Sequence, residues 1–591
     1  MIQIFLLFMA LAAGCLLSGR ILIHYFQLES YQFPGYFRSL RRNQAKIILP
    51  GALMCFLFTL SFLILYLIFK AFTWPFFILE TIILVAGGYF IGQKCSEKKA
   101  KKALAFTPRI KRLYCVAFII FTGLPLLLFT LWNTADAGQL LNRLKLALIL
   151  AFPAFLPLWV ALAGLLAWPI EKGISELYFR DAQHILKQRK DLVRIGITGS
   201  WGKTSVKFIL GTLLEEKYHT LVTPASFNTP MGVTKVIRTK LEPGHRVFVS
   251  EMGARHVGDI KEMCRLVHPE IGIITSVGPQ HLDTFKTVER VAKTKYELIE
   301  ALPADGFAVF ADDDGICRDL YEKTGKDKMI SGLEAEKDDV WAEDIRISGE
   351  GSSFVLCTGN QRIPCKTVLL GELNIRNILV CVCICLKLGM TGEQIARGIE
   401  KIRPVEHRLQ LIPNPGGMTV IDDAFNSNIK GAVQAFRVLK EMSGTRILVT
   451  PGMVELGAKE AEMNCEFGKA AADCCDYALL IGKKRSTAIS KGLTENGFPR
   501  DRIVVLNSLA EACAVCRNPL SGAGRPIPGL QAVTGTARKT NSPLGSLSSA
   551  RMTKGQRPMP AQSQKSCSGA QEALAERSSD SVSFHVPPRP R

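Results

Sequence analysis

Five apolar stretches ahead of residue 172 constrain this chain more than any other feature. They run from Ile2 to about Ser18, between Lys46 and Lys70, from about Phe76 to Ile91, from Leu113 to Trp132, and from Leu146 to Ile170. Each approaches or exceeds the ~20 residues that cross ~30 Å of hydrocarbon as a helix, and the third is the shortest. Pro125, Pro153 and Pro157 inside them are tolerated in membrane helices. The first stretch reads as a retained span, because no Lys or Arg precedes it and further spans follow. Its "LAAGC" at 11–15 only faintly resembles a lipoprotein cleavage site.

Charge between the stretches sets an orientation. Arg38, Arg41, Arg42 and Lys46 follow the first, and Lys94, Lys98, Lys99, Lys101, Lys102, Arg109, Lys111 and Arg112 follow the third. The connections around Thr73 and from Asn133 to Gln139 carry almost none. The positive-inside rule places both basic loops in the cytoplasm. The N-terminus is then outside, and everything after Ile170 is cytoplasmic. The expected location is therefore the cell membrane, multi-pass, with the soluble part inside. Such loops face anionic lipid headgroups, which accounts for part of the net charge of +21 without nucleic acid. The 17 cysteines are scattered, and Cys513 and Cys516 form a C-x-x-C with no partner pair, so reduced thiols are expected.

The soluble half opens with an amphipathic pattern from Glu176 to about Arg189 and a buried strand, "LVRIGITG". "ITGSWGKTS" at 197–205 then reads as a phosphate loop. Gly199 and Gly202 let backbone N–H groups converge on phosphate oxygens, and a helix N-terminus adds its positive dipole end. Lys203 is expected on the β/γ-phosphates of ATP, the Thr204 hydroxyl on Mg²⁺, and Ser205 beside them. Only two residues separate Gly199 from Gly202, where the usual loop has four.

Further stretches follow in order. They are "TPASFNTPMGV" with Asn228, "VFVSEMGA" with Glu251, "PEIGIITSVGPQHLDTF" with His281, and "VAKTKYELI" with Lys295. "GELNIRN" supplies Asn374 and Asn377, "EHRLQ" supplies Arg408, "VIDDAFNSN" supplies Asp423 and Asn426, and "TPGMVELG" comes last. Glu251, at a strand end, is placed to hold Mg²⁺ beside Thr204.

The short loop and these stretches resemble the Mur ligases, ATP-dependent amide-forming enzymes of peptidoglycan synthesis, and most closely their D-alanyl-D-alanine-adding branch, the MurF enzymes. The likeness covers roughly residues 190–515. It implies a second Mg²⁺ on His281 and a carbamoylated Lys295, fourteen residues on, with a carboxylate-like end in place of an ammonium. It also implies that Asn377, Arg408 and Asp423 contact the nucleotide and that Asn228 and Asn426 belong to the substrate side. Arg408 suits bidentate phosphate contact better than lysine. Leu373 replaces the family's histidine in G-x-H-N, Phe425 replaces a tyrosine, and Ile429 replaces a proline. Membrane spans stand where MurF proteins hold a uridine diphosphate sugar.

The expected architecture is an N-terminal α-helical transmembrane region of about five helices (1–172), then α/β. A P-loop parallel-sheet ATPase domain (173–404) precedes a smaller Rossmann-like domain (405–516), incomplete if the reading frame is altered near 517. The Ser, Gly, Pro, Arg and Lys-rich tail (517–591) is expected to be disordered. The expected function is ATP-dependent ligation through an acyl phosphate, joining a carboxylate of a UDP- or lipid-linked muropeptide to an amino acid or dipeptide amine such as D-alanyl-D-alanine. Alternatives are a poly-amino-acid or amidating ligase, an ATP-driven transporter, and a non-catalytic scaffold.

Overall fold

The computed structural model describes residues 2–29, 31–70, 72–96, 103–133, 146–225, 227–312, 315–348, 350–359, 361–412, 419–423, 429–454, 456, 459–517 and 582–586. The chain divides into two bodies, Met1–Tyr178 and Phe179–Arg591.

The first body is helical. Among the described residues four helices are long and apolar enough to cross a membrane: Lys46–Phe69, Trp74–Cys95, Pro108–Thr130 and Leu146–Gln188. The expected first span is a pair, Ile2–Ser18 and Arg20–Leu28, bent by 51°, so five crossings result if the pair counts as one. The shortest expected segment lengthens to 22 residues, Trp74–Cys95.

Close approach comes from small residues, as helices without a hydrophobic drive between them require. A Cβ on Gly88 would lie 2.6 Å from the Gly14 Cα, so these two helices touch backbone to backbone. From a third helix, Lys46–Phe69, Ser61 donates to the buried Glu80 at 2.8 Å. At one end of the bundle Arg112 grips Glu171 bidentately at 2.5 and 2.8 Å. There too the Gln27 side chain bonds the backbone of Ala105 at 2.8 and 3.1 Å. The second basic loop and the residue just past the last apolar stretch therefore share one end.

The second body holds two sheets. The larger comprises β1 (Val193–Thr198), β2 (Thr220–Val222), β3 (Val247–Glu251), β4 (Ile271–Ile274), β5 (Phe307–Ala311), β6 (Asp327–Gly332), β7 (Val340–Ser348), β8 (Gly351–Thr358) and β9 (Gln361–Thr367). Their order is β2-β3-β1-β4-β5-β6-β7-β8-β9. Pairing is parallel through β7 and antiparallel across β7, β8 and β9. The parallel strands β3, β4 and β5 are buried along their whole length, which their unbroken apolar runs dictate. Strand β1 lies between β3 and β4, so the order reverses around it. Ligands of open α/β sheets bind beyond the carboxyl ends of strands at such a point. The helix Glu372–Lys387 buries Cys381, Cys383 and Cys385 in the core, and the cysteines among the described residues are free thiols.

The smaller sheet comprises β10 (Gln410–Ile412), β11 (Thr419–Asp422), β12 (Thr445–Thr450), β13 (Tyr477–Ile481), β14 (Ile503–Leu506) and β15 (Val582–Val586), in the order β10-β11-β15-β12-β13-β14. Strands β12, β13 and β14 are parallel, as in a Rossmann-like domain. β15 departs from the expectation of a structureless tail. It inserts antiparallel to both β11 and β12, with Phe584 in register with Val420 and Ile447. The reason is local: "VSFHV" is a short run with strand periodicity and apolar ends, and β11 and β12 would otherwise leave unpaired edges.

Candidate active site

Strand β1 runs into the phosphate loop, and the helix Lys203–Leu214 begins at its far side. Two glycines make the loop possible. Gly202 has φ +83°, and a Cβ there would sit 3.0 Å from the Asn377 side chain; one on Gly199 would strike Thr275. The residues after β4 pin the loop from behind. Ser200 N donates to Ser276 O at 2.9 Å, Trp201 N to Ser276 Oγ at 2.9 Å, and Ser200 Oγ to Gly278 O at 3.1 Å. Lys203 curls back, its Nζ 2.6 Å from Gly199 O and 3.2 Å from Ser200 O. Desolvation pushes the Lys203 pKa down to about 8, with Glu251 opposing and Arg408 adding to the fall.

Glu251 closes β3 and is buried. Its Oε1 accepts from Thr204 Oγ1 at 3.2 Å and from Asn228 Nδ2 at 3.2 Å, while Oε2 faces Lys207 Nζ at 3.1 Å. A hydroxyl and a carboxylate oxygen converging at the lip of a cavity form a hard-donor pair. That set fits Mg²⁺, which takes one or two protein oxygens and completes its shell with phosphate and water. Among the described residues no three His, Cys, Asp or Glu side chains converge.

Several cavities adjoin the loop, and two of them are lined by most of the expected residues. One, of about 350 Å³, is lined by Trp201, Gly202, Ser205, Asn377, Arg408 and Asp423 among others. The other, of about 530 Å³, is lined by Lys203, Thr204, Asn228, Glu251, His281 and Arg408 among others. Arg408 faces both. Burial lowers its pKa, with Glu251 and Asp423 opposing. Burial raises that of Asp423 to about 7, against the Leu409 backbone bond and Arg408.

The expected residues thus gather with two exceptions. Lys295 lines neither cavity; it is buried on the helix Val288–Glu300, and its pKa lies well below the ordinary lysine value. Burial is the main cause, the neighbouring Lys203 charge adds to it, and Asp259 and Glu297 oppose. Asn426 lies outside the described residues. Segments that supply the centre carry left-handed residues: Ala225, His281, His407 and Leu409 have φ of +44°, +51°, +61° and +44°.

Sequence reasoning missed Lys207 and the pair His407–Asp422. A signal existed for the first, because a lysine amid "SVKFIL", one helical turn after Lys203, faces the core with its neighbours. For the second none did, since fifteen residues and a strand pairing bring the two together.

Comparison with known proteins decides the family. A model described as the Mur ligase middle domain matches residues 197–385, and one described as Mur ligase, glutamate ligase domain, matches 407–525. The UDP-N-acetylmuramoyl-tripeptide--D-alanyl-D-alanine ligase of Escherichia coli is 30% identical over 337 residues, covering 56% of this chain and 74% of that protein. The chain belongs to the Mur ligase family.

Its standing among ATP-dependent amide ligases follows from that membership. The Bacillus subtilis ligase of the same name is 28% identical over 315 residues, covering 52% of this Mur ligase and 66% of the relative. A crystal structure of MurF from Acinetobacter baumannii superposes with a TM-score of 0.53 at 26% identity, covering 58% of this chain and 74% of that one. A Thermotoga maritima MurF ligase in complex with ADP shares the fold, with a TM-score of 0.52 at 23% identity, covering 57% and 76%. Neither family model reaches the first 196 residues of this Mur ligase.

Proposed function

We propose that this Mur ligase forms an amide between a carboxylate of a cell-wall precursor and the amine of D-alanyl-D-alanine or a similar compound, at the cytoplasmic face of a membrane. The observation that carries the reading is the 3.2 Å contact between Thr204 Oγ1 and Glu251 Oε1, beside a lysine folded over a phosphate loop. Phosphoryl transfer asks a protein chiefly for positioning and charge neutralisation. Lys203 and Arg408 would supply cations, Thr204 and Glu251 would hold Mg²⁺, and Asn377 and Asp423 line the cavity that would take the nucleotide. Mg²⁺ neutralises charge on the transferring phosphate when bound. The precursor carboxylate displaces ADP to give an acyl phosphate. The amine then attacks the acyl carbon, and phosphate leaves. Asn228 stands on the acceptor side, to which the family resemblance also assigns Asn426.

A bare Lys295 is no metal ligand. Its depressed pKa favours the neutral amine that reacts with CO₂, and the resulting carbamate would join His281 as donors to a second Mg²⁺. The boundary between ATP-binding and C-terminal domains is placed at 404/405, with the spans before 173 as membrane anchor. The acceptor is a UDP-linked or a lipid-linked muropeptide. A transporter would leave His281 and the pair Arg408–Asp423 without a role.

The test is a product assay. Full-length protein in detergent receives ATP, Mg²⁺ and D-alanyl-D-alanine, with either the UDP-linked tripeptide or its lipid-linked form. An amide product by mass, with ADP released only when carboxylate and amine are both present, is expected. ADP release indifferent to both would refute the ligase reading.

A further inference from the structure

Lys207 is a fully buried ammonium that the proposed chemistry does not use. It extends from the helix Lys203–Leu214, lies 4.6 Å from the centroid of the Phe208 ring, and makes two polar contacts. One is the ion pair with Glu251 Oε2 at 3.1 Å; the other is a short hydrogen bond to the carbonyl of Ala225. A buried lysine costs several kcal/mol of desolvation unless paired and hydrogen-bonded, and desolvation indeed lowers its pKa against the pull of Glu251. Its position therefore requires both partners.

Those partners belong to different parts of the centre. Ala225 lies in the acceptor-side loop and holds a left-handed φ of +44°, a conformation an alanine keeps only when its surroundings impose it. The same loop reaches Glu251 twice more. Asn228 Nδ2 donates to Oε1 at 3.2 Å, and Glu251 N donates to Thr223 Oγ1 at 3.3 Å. Asn228 O accepts from Gly253 N at 2.9 Å, fixing the loop to the segment after β3. Glu251 thus presents Oε1 to Thr204 and the cavity, while Lys207 restrains Oε2 and with it Ala225.

We propose that Lys207 is a positioning residue that ties the acceptor-side loop Thr223–Thr229 to the metal-facing carboxylate, so that metal–nucleotide loading orders the loop that receives the acceptor. The link rests on the reading of Glu251 as the metal carboxylate. Coupling of this kind is reciprocal and is worth a factor of roughly 5 to 150 between linked sites.

Two readouts on the full-length protein test it without turnover. Mn²⁺ binding with a non-hydrolysable ATP analogue is followed by electron paramagnetic resonance, and hydrogen exchange of peptides covering 223–229 by mass spectrometry. In wild type the analogue with Mg²⁺ should slow exchange of these peptides at least ~5-fold over the analogue alone. In Lys207→Met, which keeps the length and loses the charge, the analogue should still bind while that slowing disappears. Lys207→Gln keeps a donor for one oxygen, should recover part of the slowing, and serves the same comparison if the Met variant does not fold. Failure of wild type to bind Mn²⁺ would sink the reading of Glu251 itself. Mn²⁺ binding with equal slowing in wild type and variants, or with no slowing in wild type, would overturn only the Lys207 link.

Discussion

His407 Nδ1 lies 2.6 Å from Asp422 Oδ2, and two residues further along, Leu409 N donates to Asp423 at 3.3 Å. Adjacent carboxylates at the end of β11 therefore hold the residues on either side of Arg408, the guanidinium that faces both cavities. The left-handed φ values of His407 and Leu409 fit a corner bent to aim what lies between.

His407→Ala should accordingly free Arg408 without removing it. Loss of one partly buried hydrogen bond is worth roughly 1–2 kcal/mol, so KM for ATP should rise about tenfold. Arg408→Lys should be the more severe change, because lysine cannot make the forked contact. Steady-state kinetics with varied ATP decide between them; an unchanged KM in His407→Ala would remove the clamp.

Gly202→Ala should abolish nucleotide binding with a limited effect on the fold. The new Cβ meets the Asn377 side chain at 3.0 Å, and alanine at φ +83° carries strain of ~1–2 kcal/mol. Fluorescent nucleotide titration beside thermal unfolding separates the two effects.

Asp423 sets a pH dependence whose sign follows from its raised pKa. The folded state holds its proton up to about 7, whereas the unfolded carboxyl releases it near 3.8. The unfolded state thus binds fewer protons between these values, and this group makes stability fall as pH rises through that window. The ceiling is about 4 kcal/mol, and the Arg408 charge reduces it. Asp423→Asn should raise the midpoint of unfolding at pH 8 relative to wild type, leave it nearly unchanged at pH 4, and weaken ATP binding. Denaturation series at both pH values check this.

Lys295 should carry CO₂. With ¹³C-bicarbonate, wild type should show a carbamate carbonyl resonance that Lys295→Ala lacks, and removal of CO₂ should lower activity. The low pKa works in favour of this at neutral pH, because only the neutral amine reacts.

Deleting 581–591 removes β15 and exposes the facing edges of β11 and β12. The midpoint of thermal unfolding should drop by several degrees, as a loss of ~1–2 kcal/mol produces. An unchanged midpoint would mean that β15 adds nothing to the domain.

Much of the centre was legible because strand ends announce themselves. Glu251 closes a strand that is buried along its length, and Gly199 to Thr204 carries its own geometry in its glycines. Arg408 and Asp423 came through resemblance alone, since nothing in "EHRLQ" or "VIDD" says that two segments meet. Lys207 was passed over although its apolar neighbours marked it, because a lysine in a helix ordinarily faces solvent. The bend at Gly19 escaped notice, the apolar pattern being cut short there by Arg20. β15 was invisible because the composition of the stretch around it argues against order, while the edges it pairs lie about 130 residues away or more.

The central claim is that a carboxylate is activated by phosphoryl transfer at the Thr204–Glu251 pair. The most direct measurement uses an acceptor whose carboxylate is labelled with ¹⁸O, incubated with ATP, Mg²⁺ and D-alanyl-D-alanine. Phosphate released with the amide should carry one ¹⁸O, taken from the carboxylate. Unlabelled phosphate alongside product would contradict the acyl-phosphate account.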